Sequence, residues 1–203
     1  MRLRRAFYDR DTVEVAKDLL GKHLVHVAGG VKRVGRIVEV EAYLGPHDLA
    51  AHSARGLTNR TKVMFGPPGH AYVYLVYGMH HCLNVVCGPD GVAAAVLIRA
   101  VEPLIGIERM RERRGAKAGA DMRLGAGPAR TCQALDIDRR LHGADLLEGH
   151  QLWLAAPTPA PEPRVAVGPR VGVDYAGPEW STLPWRFGIA GHPSLSRPFP
   201  ATG

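Results

Sequence analysis

Within Arg36-Ile37-Val38-Glu39-Val40-Glu41-Ala42-Tyr43-Leu44-Gly45-Pro46, two carboxylates and a phenol recur at every second position. Side chains of an extended strand alternate between faces, so Glu39, Glu41 and Tyr43 share one face while Val38, Val40 and Ala42 take the core side. Glu41 falls near the strand's end, just ahead of a Gly-Pro turn, where a general acid or base can reach a substrate. The same pattern also describes an ordinary carboxylate on a solvated strand face, and Glu39 has less to argue against that reading than Glu41. Arg99 ends the apolar run from Ala93 to Ile98. A guanidinium in such a setting needs a carboxylate or an anionic ligand. Glu41 and Glu102 are its candidate partners; the functional alternative is that Arg99 helps fix a water beside Glu41.

Tyr72, Tyr74 and Tyr77 are three of the six tyrosines. Tyr72 and Tyr74 share a strand face and suit either a core or a stacking surface. Tyr77 precedes Gly78 at a turn tip, a poor place for burial, and a protruding wedge is the device that unstacks DNA bases. Arg55, Asn59, Arg60 and Arg130 suit phosphate contacts or ordinary solvated charge. The ten histidines lack H-E-x-x-H spacing, and neighbours His80 and His81 point to opposite strand faces. Cys82, Cys87 and Cys132 have no zinc spacing. No metal or organic cofactor is expected, and the thiols read as buried and reduced.

These residues require a particular set of elements. Residues 11–21 read as a helix capped by Asp11 and ended by Gly21. A strand at Leu24–Val27, a Gly29-Gly30 turn and a return strand at Val34–Tyr43 follow. Residues 45–70 read as a long irregular loop, a length that usually accompanies function. Strands are expected at Ala71–Val76, Cys82–Cys87 and Val92–Arg99, then a helix at Pro103–Arg114 and a basic flexible stretch. Gly127-Pro128 opens a short helix ending near Leu135. Residues 156–169 are proline-rich and read as a stiff loop; short strands are expected at Arg170–Val173 and Arg186–Ile189. Residues 1–203 read as a single α+β domain with a curved, mostly antiparallel β-sheet flanked by helices and a protruding β-hairpin.

Apolar residues make up 46% of the 203, enough for a core, and no apolar run reaches the length of a membrane span. The basic start lacks an apolar stretch behind it, so an intracellular location is expected. The formal net charge of +7 favours polyanionic partners, nucleic acid foremost. Only five of the 26 basic residues are lysines. Arginine suits phosphate, but a G+C-rich genome gives the same skew.

Taken together, Arg36–Pro46, Ala50-Ala51-His52-Ser53, Tyr72-Val73-Tyr74, Tyr77-Gly78-Met79, Asn84, Leu97-Ile98-Arg99-Ala100, Gly127-Pro128, Cys132–Leu135 and Arg170-Val171-Gly172-Val173 resemble the alkyladenine (3-methyladenine) DNA glycosylase family, of the type without a helix-hairpin-helix. The resemblance runs from about Phe7 to Pro193. It implies a monofunctional base-excision repair enzyme that flips alkylated purines out of duplex DNA and hydrolyses the N-glycosyl bond with an activated water. It makes Glu41 the general base, with Arg99 and the Val96 carbonyl holding the water. It places Tyr43, His52, Tyr74, Asn84, Val96 and Leu97 around the flipped base, Asn84 discriminating against the exocyclic amine of guanine. Tyr77 fills the gap in the duplex, and Arg55, Asn59, Arg60, Met79, Gly127 and Arg130 contact the backbone. A monomer acting on damaged double-stranded DNA in the cytoplasm, at the bacterial nucleoid, is implied, with no membrane partner. The rivals are a non-catalytic damaged-DNA-binding protein, which has little use for a carboxylate at Glu41, and a nucleosidase, which needs no wedge.

Overall fold

The computed structural model describes residues 1–157 and 163–200. Helices α1 (Arg5–Tyr8) and α2 (Thr12–Leu19) precede strands β1 (His23–Ala28), β2 (Val31–Tyr43), β3 (Ala71–Val76), β4 (His80–Cys87) and β5 (Ala94–Ile105). Helices α3 (Ile107–Arg114) and α4 (Pro128–Leu135), strands β6 (Leu152–Ala155) and β7 (Val165–Gly168), helix α5 (Pro178–Ser181) and strand β8 (Arg186–Ile189) follow. The strands form one antiparallel sheet in the order β3-β4-β5-β2-β1-β6, with β8 also pairing with β2 and β7 with β8. The α+β class, with a curled antiparallel sheet, is the one expected.

Asp11 caps α2 as its sequence predicts: its carboxylate accepts from the amides of Val13 and Glu14. The helix's buried face, Val15, Ala16 and Leu19, joins Leu24, Ile37, Val40 and Ile98 in the main core. α4 packs Cys132, Ala134 and Leu135 into the same core, so both halves of the chain brace the strands that carry the site.

β2 is the spine. It lies beside β5 along its length, while its other edge takes β1 first and β8 at Glu39–Glu41. Its ladder with β5 is irregular: Ile37 faces Val101, Glu39 faces Ala100 and Val40 faces Ile98, which leaves Val38 and Arg99 without partners across the ladder. Such bulges bend a strand and re-aim a side chain, often beside an active site. Here they bring Arg99 onto the face of Glu39 and Glu41. That face is not solvated: Glu39 and Glu41 are both fully buried, as are Val38, Val40 and Ala42. The expected one-sided alternation is therefore replaced by a strand covered on both faces.

Three further expectations change, and one strand is new. The helix expected at 103–114 begins only at Ile107, because β5 continues to Ile105 with Pro103 opposite Gly35. β4 pairs with β5 only as far as Leu97, so Pro103 lies where that flank is open and its missing N–H costs no ladder bond. Part of the expected stiff loop is strand β7, paired with β8, and residues 158–162 of that stretch lie outside the described residues. Arg170–Val173 is not a strand, since Arg170 is drawn into a buried ion pair with Asp48 and Gly172 turns the chain at a φ of 75°. β6, for which no expectation was formed, adds an edge strand beside β1.

Candidate active site

Glu41 has no exposed surface, yet every oxygen of its carboxylate is matched. Oε1 accepts from the Val171 amide at 2.7 Å and lies 3.1 Å from Nη1 of Arg99; Oε2 accepts from the Tyr43 hydroxyl at 2.9 Å. Arg99 is shared: its Nε donates to Oε1 of Glu39 at 2.8 Å. Arg186 stands 3.7 Å from Glu39, so two buried carboxylates face two buried guanidiniums. Charges removed from water persist only when paired and hydrogen-bonded in this way. Glu102, the other partner considered for Arg99, pairs with Arg36 instead. A carboxylate anchored by a guanidinium, a phenol and an amide beside a cavity is chemically suited to deprotonate a water and to stabilise positive charge.

The cavity lies next to it. Tyr43, His52, Tyr74 and Asn84, all expected in a pocket, line one concavity, where Ala50, Met64, Tyr72 and Tyr175 join them. Tyr72 and His52 meet edge to face, the hydroxyl of Tyr72 lying 2.9 Å from His52 Nδ1; Tyr74 packs edge-on to His52 at 4.5 Å. Burial first, then Arg60 and Arg55, pull the His52 pKa down to about 4, so its ring is neutral at pH 7. Burial raises the Tyr43 phenol far above its ordinary value, with the charge of Glu41 adding to it, so the hydroxyl stays a donor. Behind Tyr43, the Arg170 guanidinium stacks at 4.8 Å on its ring and at 4.9 Å on that of Trp185. Arg170 and Asp48 form an ion pair with no solvent access. Asn84 donates to the Tyr72 carbonyl at 3.2 Å, which fixes its amide against the pocket wall.

At the tip of the β3–β4 hairpin, Tyr77 is 89% exposed and Met79 69%. Tyr77 and Gly78 both have positive φ, 51° and 70°, the twist a tight hairpin wants. Left-handed backbone is unfavourable for tyrosine and unremarkable for glycine or asparagine, so a large aromatic is held there at some cost in stability.

A family model described as methylpurine-DNA glycosylase (MPG) matches residues 6–193. The chain belongs to the methylpurine-DNA glycosylase family. It is 51% identical over 204 residues to a protein from Alkaliphilus oremlandii, covering 97% of this chain and 100% of that one. It is 50% identical over 200 residues to one from Anaeromyxobacter dehalogenans, covering 98% and 89%. It is 48% identical over 196 residues to one from Legionella pneumophila, covering 97% and 98%. Each of the three is named "Putative 3-methyladenine DNA glycosylase". Membership makes the chain a DNA glycosylase, a hydrolase of N-glycosyl bonds with DNA as its substrate.

Within this family member, the expected backbone-contact residues Arg55, Asn59, Arg60, Met79 and Arg130 are exposed. Arg60 lies over the Tyr74 ring at 5.2 Å, which links the basic loop to the pocket. Gly127 differs: it is buried, and its amide donates to the Gly125 carbonyl. Val96 and Leu97 are buried in the middle of β5 between β2 and β4. Val96 faces Ala42 on one side and Val85 on the other, so its backbone belongs to the ladder; the backbone group that reaches Glu41 is that of Val171. Sequence reasoning missed the part played by Glu39, Asp48, Arg170, Val171 and Tyr175. The motif Arg170–Val173 was visible, but a strand reading hid that its first residue is a buried cation. Among the described residues, no three His, Cys, Asp or Glu side chains group as metal ligands, and no helix is long and apolar enough to cross a membrane.

Proposed function

We propose that this enzyme excises alkylated purines, 3-methyladenine among them, from duplex DNA by flipping the nucleotide into the tyrosine-lined pocket and hydrolysing its N-glycosyl bond. The observation that carries the reading is the buried Glu41 carboxylate, anchored by Arg99, Tyr43 and the Val171 amide at the edge of that pocket. Relatives of about half identity named for 3-methyladenine support the lesion class.

The chemistry follows from those groups. Extrusion costs a few kcal/mol, less at a damaged pair, and stacking on aromatic rings returns about 1–3 kcal/mol per base. Tyr77 fills the space vacated in the stack. As the bond breaks, the purine leaves with the glycosidic electron pair; a purine alkylated at N3 or N7 is cationic and departs neutral. Positive charge grows on the sugar, as in glycoside hydrolysis. Glu41 takes a proton from water, whose oxygen bonds to C1′, and its charge stabilises the sugar cation. General base catalysis of this kind contributes about 10²–10⁴-fold. Tyr43, His52, Tyr74 and Asn84 hold the base, and Arg55, Asn59, Arg60, Met79 and Arg130 track the backbone. No step calls for a cofactor. The chain acts as one catalytic unit and as a monomer in the cytoplasm, where bacterial DNA lies.

The test is direct. The protein is incubated with methylated duplex DNA and the released bases are separated by chromatography. Free methylated purine is expected. Lesion binding without release would leave a damage-binding protein, and release from free nucleosides but not from duplex would indicate a nucleosidase.

A further inference from the structure

Glu39 has no obvious place in the hydrolysis, yet it is fully buried and accepts three hydrogen bonds. Its Oε1 accepts from Arg99 Nε at 2.8 Å and from the Ser196 hydroxyl at 2.7 Å; its Oε2 accepts from the Ser196 amide at 2.6 Å. The Ser196 oxygen in turn accepts from Arg99 Nη2 at 3.1 Å. Arg99, Glu39 and Ser196 thus form a closed ring of hydrogen bonds.

We propose that Ser196, on the C-terminal segment, is a positioning residue for the Glu41 base, acting through Glu39 and Arg99. The inference rests on the reading that Glu41 is the general base. A guanidinium is a rigid planar fork. With Nε held by Glu39 and Nη2 held by Ser196, the direction of Nη1 is set, and Nη1 is the atom 3.1 Å from Glu41. Without the serine hydroxyl, Glu39, which has no exposed surface of its own, loses one of its donors. The guanidinium then turns to meet Glu39 with two parallel bonds, the arrangement such pairs favour, and Glu41 loses its cation.

Ser196 does not rely on Glu39 alone for its place. Arg123 Nη1 donates to the carbonyls of Pro193 at 3.0 Å and Leu195 at 2.7 Å. Arg186 Nη2 donates to the Pro198 carbonyl at 2.8 Å, and its guanidinium lies 3.9 Å from the Phe199 ring. Gly188 of β8 leaves the room that ring needs, since a Cβ there would come within 2.6 Å of it. Residues 193–199 are a strap across β8, clasped on both sides of Ser196, with its hydroxyl directed at the catalytic cluster.

Single-turnover base release, titration of lesion duplex and thermal melting are measured for the wild type, Ser196→Ala and Ser196→Thr. Ser196→Ala is expected to slow release about tenfold or more, while duplex affinity stays within about threefold and the melting point within a few degrees; Ser196→Thr, which keeps the hydroxyl, restores most of the rate. Release at the wild-type rate in Ser196→Ala overturns the inference. So does a joint fall of rate, affinity and melting point that Ser196→Thr fails to rescue, because that marks a merely structural contact. Glu41→Gln is run alongside: wild-type release there sinks the general-base reading itself, whereas an inactive Glu41→Gln beside a fully active Ser196→Ala sinks the role of Ser196 alone.

Discussion

The Tyr43 hydroxyl donates a 2.9 Å hydrogen bond to Oε2 of Glu41, two positions back on the same strand. Alternation puts both side chains on one face, and the bond ties a residue of the pocket wall to the carboxylate proposed as the base. Hydrogen bonds to charged groups contribute about 1.5–3 kcal/mol. Tyr43→Phe keeps the ring and its contact with Arg170 but removes the donor. Single-turnover base release should slow about tenfold or more, with lesion binding nearly unchanged. Equal rates for the variant and the wild type would mean that the bond does not orient Glu41.

Tyr77 combines high exposure with a left-handed backbone. Tyr77→Gly relieves that strain, by about 1 kcal/mol, so thermal stability should hold or rise slightly. Lesion-duplex affinity and base release should both fall, affinity about tenfold, because the flipped state loses its plug. A variant that melts earlier yet binds normally would make Tyr77 a structural residue.

The positions of Glu41, the pocket tyrosines and the hairpin tip were legible because alternation and turn chemistry are local. The bulge that leaves Arg99 unpaired was not, since it depends on how β2 and β5 meet across more than fifty residues. Glu39 looked like a surface carboxylate because a two-residue period assigns faces but does not say what covers them. The cover comes from Arg186, on β8, and from Ser196 beyond it, far along the chain. Arg170 was misread for a similar reason. Its neighbours Val171 and Val173 suggest a strand, while its partner Asp48 lies in a loop 122 positions away. Pro103 misled by type: proline next to a helical stretch usually opens the helix, but here the strand runs past it.

His52 sets a pH dependence of stability. Its folded pKa, about 4, lies below its ordinary value of 6.5. Between those values the unfolded chain binds a proton that the folded chain does not, so stability falls as pH drops through that window. The slope from this group is at most about 1.4 kcal/mol per pH unit, and it vanishes above about pH 6.5. His26, also lowered by burial, adds a slope of the same sign that remains in a His52 variant. In melts between about pH 7.5 and 4.5, His52→Gln should lose less stability than the wild type. Parallel curves would show that His52 is protonated in the folded protein.

The mechanism stands or falls on the charge of Glu41. Glutamine has nearly the same shape and can still accept from Arg99 and the Val171 amide, but it neither takes a proton at neutral pH nor carries negative charge. Glu39→Gln, which acts one step away, should be milder. The deciding measurement is single-turnover release of a methylated purine by Glu41→Gln, with a binding titration on the same duplex. A loss of at least about 10²-fold in release, with lesion binding intact or tighter, is the expected result; release at the wild-type rate would contradict the account.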